Sequence, residues 1–435
     1  MSAVGLPAAA VAAFTDRMLA ELQAAAPDLS TQVSRLRART AEAPRILVTG
    51  SPGTGVSTLV RALAGEVHAD GSTGPVLWCA ADRPVPADVP VDVRVHQVAG
   101  AALQNLTLID GAGADARVAA GADALVYLVD REPSPADRER IRQLGFGPAG
   151  TVLVVSRADE FGAGSLGSAD PVVDARGYAR TLVGDPADAA SWAAVVAVSP
   201  LLAGAACAVG GTVDGTALAE RLATYRSPVV AAGLLGTDIS PAMMADLQLV
   251  GTYGVLHGGA GAGDPAQWLA DASGIDDLRT ELLGRLSQAA LLRRSAGVLD
   301  EVGQLRFTAS DPAAVSAVTD RAGAAPEAWR IRLFPDIARL AEAGMDAEAA
   351  LVTRVVDADS ASDLAGVAAD AQEVEVLNGL REQLRTVNLQ LTGFTVPVVE
   401  AALTAVSVVL RRAIAEMEAV LSGAPYSADA HLWES

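Results

Sequence analysis

Three glycines and two hydroxyls, Gly50, Gly53, Gly55, Ser57 and Thr58, fall within RILVTGSPGTGVSTLVRALAG, residues 45–65. Glycines so spaced let backbone N–H groups curve around the oxygens of an anion, and a helix that begins where the loop ends adds its positive terminus. Gly50, Gly55 and Ser57 follow the phosphate-loop pattern G-x-x-x-x-G-K-[ST], whose last hydroxyl ligates Mg²⁺. One position departs from it. Val56 stands where a lysine would reach the β- and γ-phosphates. Charge-assisted hydrogen bonds are each worth about 1.5–3 kcal/mol, so the loss lowers nucleotide affinity by roughly one to two orders of magnitude or more. No lysine elsewhere can substitute, because all 32 basic residues are arginine. By itself the loop also reads as a tight glycine turn with no ligand.

Further groups follow in order. Asp110 and Gly113 form D-x-x-G at the end of the apolar run in NLTLIDGAGAD. In a nucleotide site such an Asp reaches Mg²⁺ through water, and the glycine N–H senses the γ-phosphate. Ser156, Arg157, Ala158 and Asp159 follow the run VLVV, where GTP-binding proteins carry N/T-K-x-D. The Asp159 carboxylate would accept the two hydrogens of a guanine edge, and the Arg157 stem would pack over the base. Ser199, just past AVVAV, sits where a short loop contacts the base. Each of these alone is also an ordinary turn after a strand. Their order, at the ends of apolar runs, gives them weight together.

The elements that must position these groups change along the chain. From 45 to about 227, short apolar runs (RILVTG, VDVRVHQV, LTLID, ALVYLVD, TVLVVSR, AVVAVS) alternate with helix-like segments. Runs of that kind predict buried parallel strands in βαβ units, hence a doubly wound α/β domain over 45–227. Residues 1–44 predict one kinked or two short helices, with Phe14, Met18, Leu22, Val33 and Leu36 at helical spacing. Beyond 228 the strand runs stop, and leucine-rich amphipathic segments predict a helical bundle over 228–435, joined by the N-terminal helices. GGAGAG at 258–263 follows no strand and reads as a linker.

Composition excludes several functions. A net charge of −20 opposes binding of nucleic acid or of anionic lipid through charge. Two cysteines, Cys79 and Cys207, and four scattered histidines form neither a zinc pattern nor a disulfide framework, which suits a reducing cytoplasm. The most apolar C-terminal run, TVPVVEAALTAVSVVL, contains Glu400 and is too short to span a bilayer.

With these motifs in this order, the chain resembles the translation-factor-like GTPases and, more narrowly, the actinobacterial branch of the bacterial dynamin-like proteins. LTLIDGAGAD is similar to that group's L-x-L-I-D-T-P-G, and VLVVSRADEFGAGSL is similar to its S-R-A-D-E-x-G segment. The specific likeness covers about 45–205. It implies a P-loop GTPase-like sheet with a helical stalk, GTP or GDP with Mg²⁺ as cofactors, and Gly50, Gly53, Gly55, Ser57, Thr58, Asp110, Gly113, Arg157, Asp159 and Ser199 as nucleotide-binding residues. Ser57 and Asp110 would hold the metal. Gly111 and Ala112 replace the usual Thr-Pro, and Thr73 is the nearest switch threonine. With Val56 in the loop, the expectation is a pseudo-GTPase of weak or absent hydrolysis. It would act through a protein partner, either an intact dynamin-like paralogue or a second copy, and not through nucleic acid. By family it would be cytoplasmic, with peripheral membrane contact. Two alternatives stay open: an active GTPase completed by an arginine in cis or in trans (Arg61, Arg83 and Arg94 being candidates), and an ATP-using regulatory protein.

Overall fold

In this computed structural model the described residues are 8–66, 74–86, 89, 93–111, 116–166, 169–184, 192–225, 239–258, 264–358, 360–393 and 396–422. In chain order, the elements begin with α1 (Ala8–Ala25), α2 (Ser30–Ala41), β1 (Arg45–Gly50), α3 (Val56–Ala64), β2 (Val76–Ala80), β3 (Arg94–Val98) and β4 (Thr107–Asp110). There follow α4 (Ala116–Ala120), β5 (Ala124–Val129), α5 (Pro135–Leu144), β6 (Thr151–Val155), α6 (Pro171–Gly184), β7 (Ala194–Ala197), α7 (Pro200–Gly211) and α8 (Gly215–Tyr225). The rest is helical: α9 (Pro241–His257), α10 (Pro265–Ser273), α11 (Ile275–Glu281), α12 (Ser287–Leu305), α13 (Pro312–Ala324), α14 (Pro326–Glu342), α15 (Asp346–Asp357), α16 (Ala361–Ala365), α17 (Glu373–Leu391) and α18 (Pro397–Ser422). The chain divides into two compact units, one of Ala43–Phe146 with Gly150–Ser287, the other of Met1–Glu42, Gly147–Ala149 and Gln288–Ser435.

The first unit is built on one sheet of order β3-β2-β4-β1-β5-β6-β7. Its neighbours run parallel except β2 and β4, which pair antiparallel through Val76↔Asp110 to Trp78↔Leu108. Successive residues of β1 face opposite ways, as the strand period requires. Ile46 and Val48 join a core with Val56, Leu59, Val60 and Leu63 of α3, while Leu47 joins Ile141 and Leu144 of α5 on the other face. A strand buried on both faces is largely apolar, which is why the middle of β1 reads as an Ile-Leu-Val run. The sheet with helices on both faces is the doubly wound α/β architecture.

Two expectations need correction. VLWCA, 76–80, was not among the expected strands, yet it is β2 and pairs both β3 and β4. Its Trp78 and Cys79 interrupt the Val/Ile/Leu signature by which the other buried strands are recognised. The boundary at 227/228 also differs from the observed division. Residues 241–287 belong with the sheet, because Ile275, Leu278, Leu282 and Leu286 pack under Val196, Val198 and Ala203, and α9 and α10 pack with α7 and α8. Helical periodicity gives a helix its apolar face but not the surface that face meets.

In the second unit, Phe14, Met18 and Leu22 of α1 and Val33 and Leu36 of α2 share a core with residues of α12 to α18, among them Val302, Ile331, Leu340, Val406 and Leu410. Among the described residues, no helix is long and apolar enough to cross a membrane.

At the sheet's centre β1 lies between β4 and β5. Chains leave such a strand in different directions on its two sides, which opens a crevice beyond its C-terminal end. Gly50 ends β1 so close to β5 that a Cβ there would stand 2.4 Å from the Leu128 carbonyl oxygen and 2.8 Å from the Leu128 Cβ. Gly50→Ala must push the two strands apart. It is expected to destabilise the protein by about 1–3 kcal/mol, read as a lowered urea midpoint with unchanged m-value.

Candidate phosphate cradle and its surroundings

Beyond Gly50, residues 51–55 turn back over the strand ends and α3 begins at Val56. Gly53 and Gly55 both hold positive φ, 83° and 84°, which a side chain would resist. The loop is braced from several sides. The Ser51 N–H donates to the Leu128 carbonyl, and the Thr54 N–H and hydroxyl both return to the Ser51 carbonyl. Ser156, fully buried at the end of β6, donates its hydroxyl to the Thr54 carbonyl. Pro200, first residue of α7, packs 3.1 Å from where a Gly55 Cβ would lie.

The loop encloses a cavity of about 780 Å³ lined by residues 49–58 together with Tyr127, Ser134, Ala136, Asp137 and Arg140. The sequence-derived residues Gly50, Gly53, Gly55, Ser57 and Thr58 thus meet in one place. Gly55 caps α3 without a side-chain hydrogen bond. The first amides of a helix have no partner inside it, so those of Val56, Ser57 and Thr58 offer N–H donors and the positive helix end. Val56 leaves the cradle open: it is 7% exposed and belongs to the core under the sheet, beside Leu59 and Val60.

The charge in the cavity is unexpected. Asp137 sits three residues into α5, whose start is a capping box: the Ser134 hydroxyl accepts from the Asp137 N–H, and the Asp137 carboxylate accepts from the Ser134 N–H. Asp137 Oδ2 takes the Ser134 hydroxyl at 2.6 Å and its N–H at 2.9 Å. Oδ1 takes the Ser51 hydroxyl at 2.7 Å and the Tyr127 hydroxyl at 2.9 Å. Partial burial by itself would raise this carboxyl, but the bonds from Ser134, Ser51 and Tyr127 outweigh it and hold it below its ordinary value. Burial, and then the neighbouring Asp137, push the Tyr127 phenol up to about 12, so it stays a donor. Arg140, one helical turn along α5, is the cationic residue among those lining the cavity.

The arginines expected to replace the lysine lie elsewhere. The Arg61 Nε donates back to the Ser57 carbonyl of its own helix. Arg83 is exposed in the turn after β2, and Arg94 is exposed at the start of the edge strand β3.

Asp110 ends β4 beside Val48 of β1. It is buried and does not line the cavity. The next residue is fixed by two bonds, from the Gly111 N–H to the Val48 carbonyl and from the Thr49 hydroxyl to the Gly111 carbonyl. Gly113 and Thr73 lie outside the described residues, as do residues 259–263 of the glycine-rich segment.

Asp159 and Ser199, expected to read a base, lie apart from the cavity lining. Asp159 is 4% exposed, with its carboxyl raised by burial against the opposing hydrogen bond from Ser199. Ser199 is fully buried, caps α7 through the Leu202 N–H, and donates its own N–H to the Ser273 carbonyl. So Asp159 and Ser199 do come together. The face of Asp159 is covered by α9, however. Gly251, kinked at φ 66°, lies so near that a Cβ there would be 3.6 Å from Asp159 Oδ2 and 2.8 Å from Leu201. Arg157, left-handed at φ 56°, pairs its exposed guanidinium with Glu160.

In shape and donors the cradle fits a phosphate group: open amides, two hydroxyls and a helix N-terminus. In charge it fits a magnesium nucleoside triphosphate poorly, since Asp137 adds an anion where a lysine is missing. Among the described residues no group of three or more His, Cys, Asp or Glu is placed to hold a metal ion.

Asp137, Tyr127, Ser134 and Arg140 were not foreseen from the sequence. Ser134-Pro135-Ala136-Asp137 is legible as a capping-box signature after an apolar run, but nothing in it shows that the helix start faces the loop.

No family model matches the chain, and no curated protein matches it. The solved chains similar to it include two from an oligomerised bacterial dynamin pair reported to sense and tether membranes at long range. One has 10% identity and a TM-score of 0.28, the match covering 87% of this chain and 60% of that one. The other has 10% identity and a TM-score of 0.29, covering 94% of this chain and 73% of that one. A likeness at that level establishes neither a family nor an activity for this chain.

Asp137→Asn is expected to lower stability at pH 7 by about 1–2 kcal/mol through weakened charge-assisted bonds. A carboxyl depressed in the folded state contributes stability above its unfolded value, near 3.9, that is lost as pH falls through the lower folded value. The gap between wild type and variant should therefore narrow in urea denaturation below about pH 4.

Proposed function

We propose that this chain is a dynamin-like protein on a GTPase-type fold that binds guanine nucleotide weakly or not at all and hydrolyses it poorly. It acts by assembling with a partner, either a dynamin-like paralogue with an intact lysine or a second copy of itself, with peripheral contact to a membrane from the cytoplasm. The observation that carries this reading is the charge of the cradle: Val56 is turned into the core in place of a lysine, and the Asp137 carboxylate is bonded to Ser51 within the cavity. Phosphoryl transfer depends on stabilising negative charge as it spreads over the transferring oxygens, and this site adds to that charge.

The order of motifs supports the nucleotide-site ancestry. Were a nucleotide bound, the amides of Val56, Ser57 and Thr58 with the Ser57 and Thr58 hydroxyls would hold its phosphates, Ser57 would ligate its magnesium ion with Asp110 acting through water, and by family Gly113 would sense the terminal phosphate. Arg157, Asp159 and Ser199 would read guanine, which requires α9 to move off Asp159.

One observation favours a second reading. Arg140 lines the cavity and is the arginine best placed to complete an active site in cis.

Turnover of GTP at saturating GTP and Mg²⁺ is expected below about 10⁻⁴ s⁻¹, under the roughly 10⁻⁴–10⁻² s⁻¹ of GTPases working without an activating partner. Turnover of about 1 s⁻¹, lost on the order of 10³-fold in Arg140→Ala, would establish the second reading instead.

A further inference from the structure

We infer that Asp137 is a built-in anion that sets the ligand charge the phosphate cradle accepts: with its carboxylate in place the loop excludes polyphosphates, and neutralising it admits them. The inference rests on reading residues 50–58 as a phosphate cradle, and it adds the residue that restricts which anions that cradle takes.

Three observations converge on Asp137. The first is placement: its carboxylate lines the same cavity as the loop amides and bonds Ser51, a loop residue 86 positions away in sequence. The second is valence. A helix cap needs the bonds with Ser134, which occupy Oδ2. Oδ1 is held separately by Ser51 and Tyr127, two donors from two other segments, so the carboxylate is fixed toward the loop beyond what capping requires. The third is the charge balance: among the lining residues one cation, Arg140, faces one anion, Asp137. Val56 offers no charge, and Arg140 alone cannot offset both Asp137 and a polyphosphate. Like charges sharing one cavity at an effective dielectric near 20 cost on the order of tenfold or more in affinity.

The bonding also explains why Asp137 does not simply yield to a ligand. Displacing it leaves the Tyr127 hydroxyl, which sits in a half-buried site, and the Ser134 N–H without their acceptor. A phosphate must therefore compete with an internal carboxylate that already satisfies the neighbouring donors.

The test is binding of magnesium pyrophosphate and of GTP, by calorimetry at fixed ionic strength, to the full chain. Wild type is expected not to saturate at millimolar ligand, and Asp137→Asn is expected to bind at least about tenfold tighter. Glu139→Gln removes the same charge from the same helix at an exposed site paired with Arg142. Its affinity should stay within about twofold of wild type, which separates Asp137 from the net charge of −20. Asp137→Ser is measured alongside in case the asparagine variant does not fold. Micromolar binding of pyrophosphate by wild type overturns the inference without any variant. So does an affinity in folded Asp137→Asn or Asp137→Ser that is unchanged or lower, the latter marking the carboxylate as a metal ligand. An equal gain in Glu139→Gln overturns it as well. GTP turnover by wild type of about 10⁻² s⁻¹ or more overturns the proposed function, whereas an unchanged affinity in the neutral variants overturns only the role of Asp137.

Discussion

The close packing of β1 between β4 and β5 governs the geometry of the site. With Gly50 pressed against the Leu128 backbone, the chain has to leave the sheet at once and turn back on itself. The turn ends in a helix whose first amides have no partner within it, and those amides need an acceptor. The bonds from Ser51, Thr54 and Ser156 follow from holding that turn over the strand ends. Gly53 and Gly55 follow from the positive φ it demands. A loop constrained in this way has the shape of an anion site whatever its charge.

Shape and charge then part company. A phosphate site normally joins a ring of donors to a fixed cation, and the two terms reinforce each other in a cavity of low dielectric. Here the ring is retained, Asp137 brings a fixed anion into the cavity, and the cation in its lining is Arg140 of α5 instead of a loop lysine. Val56 adds its methyl groups to the core that holds α3 on the sheet, so this position supplies packing and no charge. The Asp137 carboxylate is satisfied by four protein donors. Both changes favour the folded chain on its own over the chain with a polyanion.

The other end of the candidate site has a comparable arrangement. Asp159 and Ser199 are brought together at the ends of β6 and β7 but are enclosed: α9 crosses Asp159 at Gly251, and Ser199 is committed to capping α7 and to Ser273. Burial raises the Asp159 carboxyl, as expected for a group withdrawn from water with only partial compensation. Asp159 and Ser199 are therefore both engaged by the protein itself.

Much of this was legible from one sequence. Runs rich in Val, Ile and Leu marked β1, β4, β5, β6 and β7, because a strand covered on both faces has few polar positions to show. The spacing of Gly50, Gly55 and Ser57 marked the turn, because only glycine takes its backbone angles without strain. The chemistry of Val56 was equally plain, since a missing charge needs no structure to be noticed. What the sequence could not carry was which distant surfaces meet. The antiparallel pairing of β2, hidden by Trp78 and Cys79, is decided across the sheet. The leucines of 275–286 show a helix face but not that it lies under β7. Asp137 reads as a helix cap, and only the fold brings that cap to Ser51, 86 residues earlier. Local periodicity and backbone angles are properties of neighbours along the chain, so the sequence determines them. The sign of the charge in a cavity depends on residues that meet only when the sheet closes, so the tertiary structure decides it.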